Sequence, residues 1–133
     1  MMKYNIIDGV KYTRKHEWAR QEGNTAVVGL SDYAQDKLGE IVFVELPDVG
    51  TEVEAGKGSA VIESVKAVAD LYAPADGSVV EVNEELLDQP EVINSDPYGE
   101  GWVYKIELKD ESQMDQLMDK PAYEKFVVEE DEE

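Results

Sequence analysis

The chain has 133 residues, of which 42% are hydrophobic, and a formal net charge of −19 from 31 acidic and 12 basic side chains. That length suits one domain with a real core, and the acidic surface repels phosphate backbones and anionic lipid headgroups, which argues against nucleic-acid and membrane roles. There is no cysteine and only one histidine, so disulfides, thiolate nucleophiles and zinc–thiolate sites are excluded and any redox role requires an imported group.

Apolar runs are only a few residues long, far short of a membrane span. Met1-Met2-Lys3-Tyr4-Asn5 has neither an apolar signal core nor transit-peptide character. A cytoplasmic protein is expected, or a mitochondrial one if a eukaryotic presequence has been removed. Met1 to Val10 reads as a short arm or edge strand, with Asp8-Gly9 as a turn. Trp18-Ala19-Arg20 and Thr25 to Leu30 read as strands joined by the turn Gln21-Glu22-Gly23-Asn24. Ser31 is placed to cap a short helix from Asp32 to Leu38, and Gly39 to end it. Tyr33, Ala34 and Leu38 share one face of that helix. Glu40 to Leu46 is the clearest strand. Pro47-Asp48-Val49-Gly50 then turns the chain into the short alternating strand Thr51 to Glu54.

Ser59 to Val65 and Val68 to Ala73 read as paired strands with nothing helical between them, which puts Lys66 at the tip of a tight hairpin. Such a tip offers a long amine to a partner while the sheet holds its base still. The turn Pro74-Ala75-Asp76-Gly77 precedes the strand Ser78 to Val82. Gly39-Glu40-Ile41-Val42-Phe43-Val44 matches Gly77-Ser78-Val79-Val80-Glu81-Val82 in pattern, and each is followed by a polar turn and a further strand, with Val53 and Val92 at comparable distances. Two such units flanking one hairpin predict a quasi-twofold β-sandwich. Asn83 to Glu91 is irregular or holds one helical turn, Asp96 to Gly101 is a loop, and Trp102 to Leu108 is the last strand. Ser112 is placed to cap a helix carrying Met114, Leu117 and Met118, and Pro121 to start a final helix that reaches about Val128. Residues 129–133 read as an acidic, disordered tail, leaving 1–128 as the single domain. Trp18, Phe43 and Trp102 are expected to be buried anchors of the sandwich.

Most catalytic signatures are missing. Gly56-Lys57-Gly58 lacks the spacing and the following helix of a phosphate cradle, and no calcium loop occurs. His16-Glu17-Trp18 has no nucleophile to serve, so a structural or partner-contact role is expected.

Glu63-Ser64-Val65-Lys66-Ala67, followed by Asp70-Leu71-Tyr72-Ala73-Pro74, resembles the lipoyl-lysine motif of glycine cleavage system H proteins. Biotin carriers usually put methionine on both sides of the lysine, and lipoyl domains of 2-oxo acid dehydrogenases put aspartate before it; here Val65 and Ala67 flank it. The resemblance extends to His16-Glu17-Trp18, Ser31-Asp32-Tyr33-Ala34-Gln35, Leu38 to Pro47, and Asp96 to Trp102, in family order over most of the chain. Ala67-Val68-Ala69 departs from the serine that members often carry before the aspartate.

The resemblance implies a mainly β barrel-sandwich hybrid of two sheets with short helices, including a C-terminal one. It implies lipoic acid bound covalently to Lys66, with Glu63, Ser64, Val65 and Ala67 as its immediate context. The implied role is that of a non-catalytic carrier. It takes an aminomethyl group from glycine decarboxylase (the P protein) to aminomethyltransferase (the T protein), and its dithiol is reoxidised by dihydrolipoyl dehydrogenase (the L protein). A lipoate-attaching enzyme is a further implied partner, and a monomer is expected. The resemblance also puts Glu17 and Asp70 in a cleft that shields the loaded arm, with Ser64 and Leu30 lining it. A tether raises the effective concentration of a reactive group at each successive active site, and acylation deletes the lysine charge. A lipoyl relay to other enzymes, a biotin-type carrier and an unmodified binding module are the alternatives.

Overall fold

The computed structural model describes residues 3–131. The strands are β1 (Lys11–Tyr12), β2 (Glu17–Glu22), β3 (Thr25–Leu30), β4 (Ile41–Glu45), β5 (Glu52–Val53), β6 (Gly58–Ser64), β7 (Val68–Tyr72), β8 (Gly77–Val82) and β9 (Tyr104–Leu108). They form two antiparallel sheets, one of six strands in the order β1-β2-β3-β9-β8-β5 and one of three in the order β4-β6-β7. The helices are α1 (Asp32–Leu38), α2 (Glu85–Asp88), α3 (Val92–Ser95) and α4 (Lys120–Asp131), with a 3-10 helix at Glu111–Gln116. None of them is long and apolar enough to cross a membrane.

Alternation along the strands builds the core between the sheets. Ala26, Val28 and Leu30 of β3, Ile41 and Val44 of β4, Ala60 and Ile62 of β6, Leu71 of β7 and Ile106 of β9 meet there. A second apolar cluster lies outside the six-stranded sheet. Trp18 and Val27 point outward from β2 and β3 and are covered by Tyr4, Ile6, Val10, Tyr98, and Tyr123 and Val127 of α4. Tyr12 and Tyr123 stack with ring centroids 4.1 Å apart. Gly29 makes room for this cluster, since a β-carbon there would stand 2.8 Å from the Trp18 indole.

The helix signals around Ser31 behave as expected: its hydroxyl accepts from Ala34 N–H, and Gly39 (φ 86°) ends α1 with its N–H donating to the Gln35 carbonyl. Residues 3–10 form an arm, one of the two expected forms, and hold no strand, while Met1 and Met2 lie outside the described residues. Other expectations need correction. Val92 opens α3 instead of a strand, so the units after β4 and β8 diverge. The cap before the 3-10 helix is Asp110, whose carboxylate accepts from Ser112 N–H, and Leu117 and Met118 fall beyond that helix. α4 runs on through Glu129, Glu130 and Asp131, three residues expected in the acidic tail. The last two have partners that favour helix: Glu130 meets His16, and Asp131 lies 2.9 Å from Lys37 Nζ. Glu132 and Glu133 lie outside the described residues.

Phe43 is the largest correction. Trp18 is fully buried and Trp102 partly so, but Phe43 is 49% exposed. The cause is a bulge. Ile41 pairs with Ser64 and Phe43 with Glu63, leaving Val42 as an extra residue in β4. The inward positions are therefore Ile41 and Val44, and Phe43 turns out. β8 has the same irregularity between Val79 and Glu81, with Val79 inward and Val80 and Glu81 exposed. The repeat seen in the two segments thus extends to matching bulges, with Phe43 corresponding to Glu81.

Candidate functional site

β6 and β7 are joined by Val65-Lys66-Ala67, which with Ser64, the last residue of β6, make a four-residue turn closed by its own serine. Ser64 N–H donates to the Ala67 carbonyl at 2.8 Å. The Ser64 hydroxyl accepts from Ala67 N–H at 3.0 Å and from Lys66 N–H at 3.3 Å. A serine that supplies this acceptor satisfies turn donors that strand pairing cannot reach. Ser64 is buried, while Val65, Lys66 and Ala67 are exposed. Glu63 is half-buried on the strand before the turn.

The turn is also fastened from the side. Val65 N–H donates to the Glu40 carbonyl at 3.0 Å. Asn94 holds the segment around Glu40: its amide donates to Gln35 Oε1 and to the Gly39 carbonyl, both at 2.9 Å, and its carbonyl accepts from Ile41 N–H at 2.9 Å. A β-carbon on Gly39 would sit 3.5 Å from Lys66 Cε, so the lysine stem passes over the end of α1. Lys66 forms no ion pair among the described residues. The result is a free primary amine on a base that backbone hydrogen bonds hold rigid.

Glu17 is 1% exposed and joins the two sheets. One carboxylate oxygen accepts from the Thr13 hydroxyl at 2.5 Å and the other from Tyr72 N–H at 2.9 Å. Burial pushes its pKa up to about 7, against the lowering effects of those two hydrogen bonds and of Lys15. Glu17 lines a hollow of about 350 Å³ together with Thr13, Lys15, Gly56, Tyr72 and Gln113. That hollow lies at the Tyr72 end of β7, the opposite end from the Lys66 turn. Leu30 is the cross-strand partner of Glu17, but it packs in the main core and does not line the hollow. Asp70 is exposed on the outer face of the three-stranded sheet, in a row with Val61 and Glu45, and borders a separate hollow beside Gly58. Glu17 and Asp70, expected in one cleft, therefore belong to different surfaces, because period-two alternation sends Asp70 outward.

His16 takes a structural place. Its backbone is left-handed (φ 70°), Nδ1 is 2.7 Å from the Tyr123 hydroxyl, and Nε2 meets Glu130. Tyr123 is in turn 2.7 Å from the Ser31 hydroxyl. This chain of contacts ties α4 to the start of α1.

Comparison with known proteins adds to this geometry. Residues 10–130 match the family model described as glycine cleavage H-protein. The chain belongs to that family. A glycine cleavage system H protein of Carboxydothermus hydrogenoformans is 51% identical over 123 residues, covering 92% of this chain and 95% of that one. A probable glycine cleavage system H protein of Haloarcula marismortui is 49% identical over 122 residues, covering 92% and 96%. Among solved structures, an H protein from Mycobacterium marinum superposes with a TM-score of 0.83 at 36% identity, covering 94% of this chain and 98% of that one. Family membership fits the barrel-sandwich architecture of the two sheets.

Three residues that hold these two places escape a reading of the sequence. Asn94 fastens the segment beside the Lys66 turn through its side-chain amide, Thr13 and Tyr72 hold Glu17 through one hydroxyl and one backbone N–H, and no local pattern marks these contacts. Only the four-residue spacing of Thr13 and Glu17 hints at their contact.

Proposed function

We propose that Lys66 bears lipoic acid in amide linkage and that the protein is the lipoyl carrier of the glycine cleavage system. The observation that carries this reading is an exposed lysine, without an ion-pair partner among the described residues, on a four-residue turn closed by Ser64, in a chain matching the H-protein family over residues 10–130. The lipoyl group supplies the disulfide that accepts an aminomethyl unit and is later reoxidised. The chain contributes a fixed base, a tether and surfaces for successive partners. Those partners are glycine decarboxylase, aminomethyltransferase, dihydrolipoyl dehydrogenase and a lipoate-attaching enzyme. The protein itself performs no catalysis. The charge of −19 suits a monomer kept apart from its copies in the cytoplasm. The family match favours this carrier role over a lipoyl relay.

The Glu17 hollow is the place best suited to shelter a cationic aminomethyl end. A buried carboxylate gains from a cation what it lost by leaving water, and a charge-assisted hydrogen bond there is worth about 1.5–3 kcal/mol. Asp70 has no part in that hollow.

Reconstitution with the partner enzymes tests the carrier role. Lipoylated wild type supports glycine-dependent aminomethyl loading, and Lys66→Arg folds but takes neither lipoate nor the aminomethyl unit. Loading of Lys66→Arg would refute the assignment. For the hollow, the loaded protein is freed of enzyme and adduct decay is followed by intact mass. Glu17→Gln should decay faster than wild type; equal rates would mean that the hollow gives no protection.

A further inference from the structure

The two sheets treat their outer faces differently. On the six-stranded sheet, the row containing Glu81 continues through Lys105 to Val27. Glu81 and Lys105 form an ion pair at 3.4 Å, and Val27 is buried under the second core. The corresponding row on the three-stranded sheet is Phe43–Glu63–Val68. Here Phe43 is 49% and Val68 67% exposed, left open by the described residues. Directly opposed residues of a sheet stand on one face about 5 Å apart, so Phe43 and Val68 flank the methylenes of Glu63 as one surface. Half-buried Val61 continues it along β6, and exposed Val65 sits on the turn beside Lys66. Lone exposed apolar residues are ordinary, but several on one face next to a reactive group mark a contact surface.

The rim of this face is acidic. Glu40, Glu45 and Asp70 surround it, Glu63 stands in its middle, and none of the four has an ion-pair partner among the described residues. A second copy of the chain would bring these like charges together, which opposes self-association. The complementary partner has an apolar socket for Phe43 and Val68 and lysine or arginine around it. Proximity selects the partner further. Enzymes that use the finished arm act at its far end. The attaching enzyme must bring a carbonyl carbon to bonding distance of Lys66 Nζ itself, with the lysine stem lying over Gly39 at the start of β4. Its surface must therefore cover the ground next to the turn.

We propose that the bare outer face of the three-stranded sheet, centred on Phe43 and Val68, is the docking surface for the enzyme that attaches lipoic acid to Lys66. This rests on the reading of Lys66 as the lipoylated residue. In the step served, the neutral Lys66 amine attacks the carbonyl carbon of a lipoyl mixed anhydride. A C–N bond forms, the C–O bond to the leaving group breaks, and the amine proton passes to a base or to solvent. The apolar row anchors the complex, and the acidic rim speeds and orients encounter.

The test uses the full-length unmodified protein, lipoate, ATP and a lipoate-attaching enzyme, with modification followed by intact mass. The double variant Phe43→Ser with Val68→Ser should retain the wild-type Tm. Its kcat/KM for attachment should fall about tenfold or more through KM, the scale expected for losing a central apolar anchor. Val80→Ser and Val128→Ser, exposed apolar positions on the six-stranded sheet and on α4, should be modified at the wild-type rate. Once driven to full lipoylation and chemically reduced to the dithiol, the double variant should be reoxidised by dihydrolipoyl dehydrogenase with NAD as fast as wild type. A wild-type attachment rate in the double variant overturns the proposal, as does a loss matched by the two control variants. Normal attachment with impaired use by a later enzyme also overturns it and assigns the face to that enzyme. If wild type takes no lipoyl group on Lys66, the carrier reading itself fails, a result distinct from the others.

Discussion

The outer faces of the two sheets follow one backbone plan and reach opposite ends. β4 and β8 share a bulge and the same in-out-out-in order, yet what stands on each outer face differs. Outside the six-stranded sheet, the N-terminal arm and α4 bury Trp18, Val27, Tyr12 and Tyr123. Outside the three-stranded sheet, Phe43 and Val68 are left to solvent beside Lys66. The difference teaches that apolar residues on one face stabilise the fold, while apolar residues on the other are available to partners. Substitutions on the two faces should therefore part company.

The largest effect belongs to the covered face. Trp18→Ala removes a fully buried indole whose Nε1–H donates to the Pro97 carbonyl at 2.9 Å. It should destabilise the protein by roughly 3–5 kcal/mol in denaturant titration. A loss under about 1 kcal/mol would mean that the second cluster is not a core.

Glu17, at the seam between the sheets, comes next. Its folded pKa of about 7 lies above the ordinary carboxyl value of about 4.5. The unfolded chain thus ionises first, and the stability contribution is fully present below about 4.5 and lost as pH rises through about 7. Glu17→Gln carries no such ionisation, and its amide can still accept from Tyr72 N–H and donate to the Thr13 hydroxyl. The Gln variant should therefore gain on wild type by on the order of 3 kcal/mol between pH 4.5 and 8, read as a growing Tm difference. A difference independent of pH would show that Glu17 is not desolvated.

Glu130→Ala should cost about 1 kcal/mol or less, because its pairing with His16 is partly exposed, and less still in high salt. The added signature is faster amide exchange confined to the end of α4. Uniform protection along α4 would contradict the pinning of its last turn.

The smallest effect is expected on the bare face. Phe43→Ser should change stability by under about 1 kcal/mol, since Phe43 is already half in solvent. A loss comparable to that of Trp18→Ala would erase the contrast between the faces.

Much of this was legible in the sequence, for reasons that are local. Ser31 and Gly39 carry helix-end chemistry, a turn rich in Gly and Asn separates β2 from β3, and two apolar runs with nothing helical between them put Lys66 on a hairpin tip. What escaped depends on register. Strict alternation across Ile41-Val42-Phe43-Val44 buries Phe43, and only the bulge at Val42, which no residue type announces, turns it outward. Glu17 and Asp70 carry the same charge and the same family association, yet β2 sends one carboxylate between the sheets and β7 sends the other to the outer face. The extension of α4 into the acidic run depends on His16 and Lys37, distant in sequence.

The most direct test of the central claim is peptide mapping by mass spectrometry after incubation with lipoate, ATP and an attaching enzyme. One lipoyl group should be found, on the peptide holding Glu63-Ser64-Val65-Lys66-Ala67, with none on Lys57 one strand away. A lipoyl group on any other lysine, or an unmodified Lys66 in the native protein, would contradict the account.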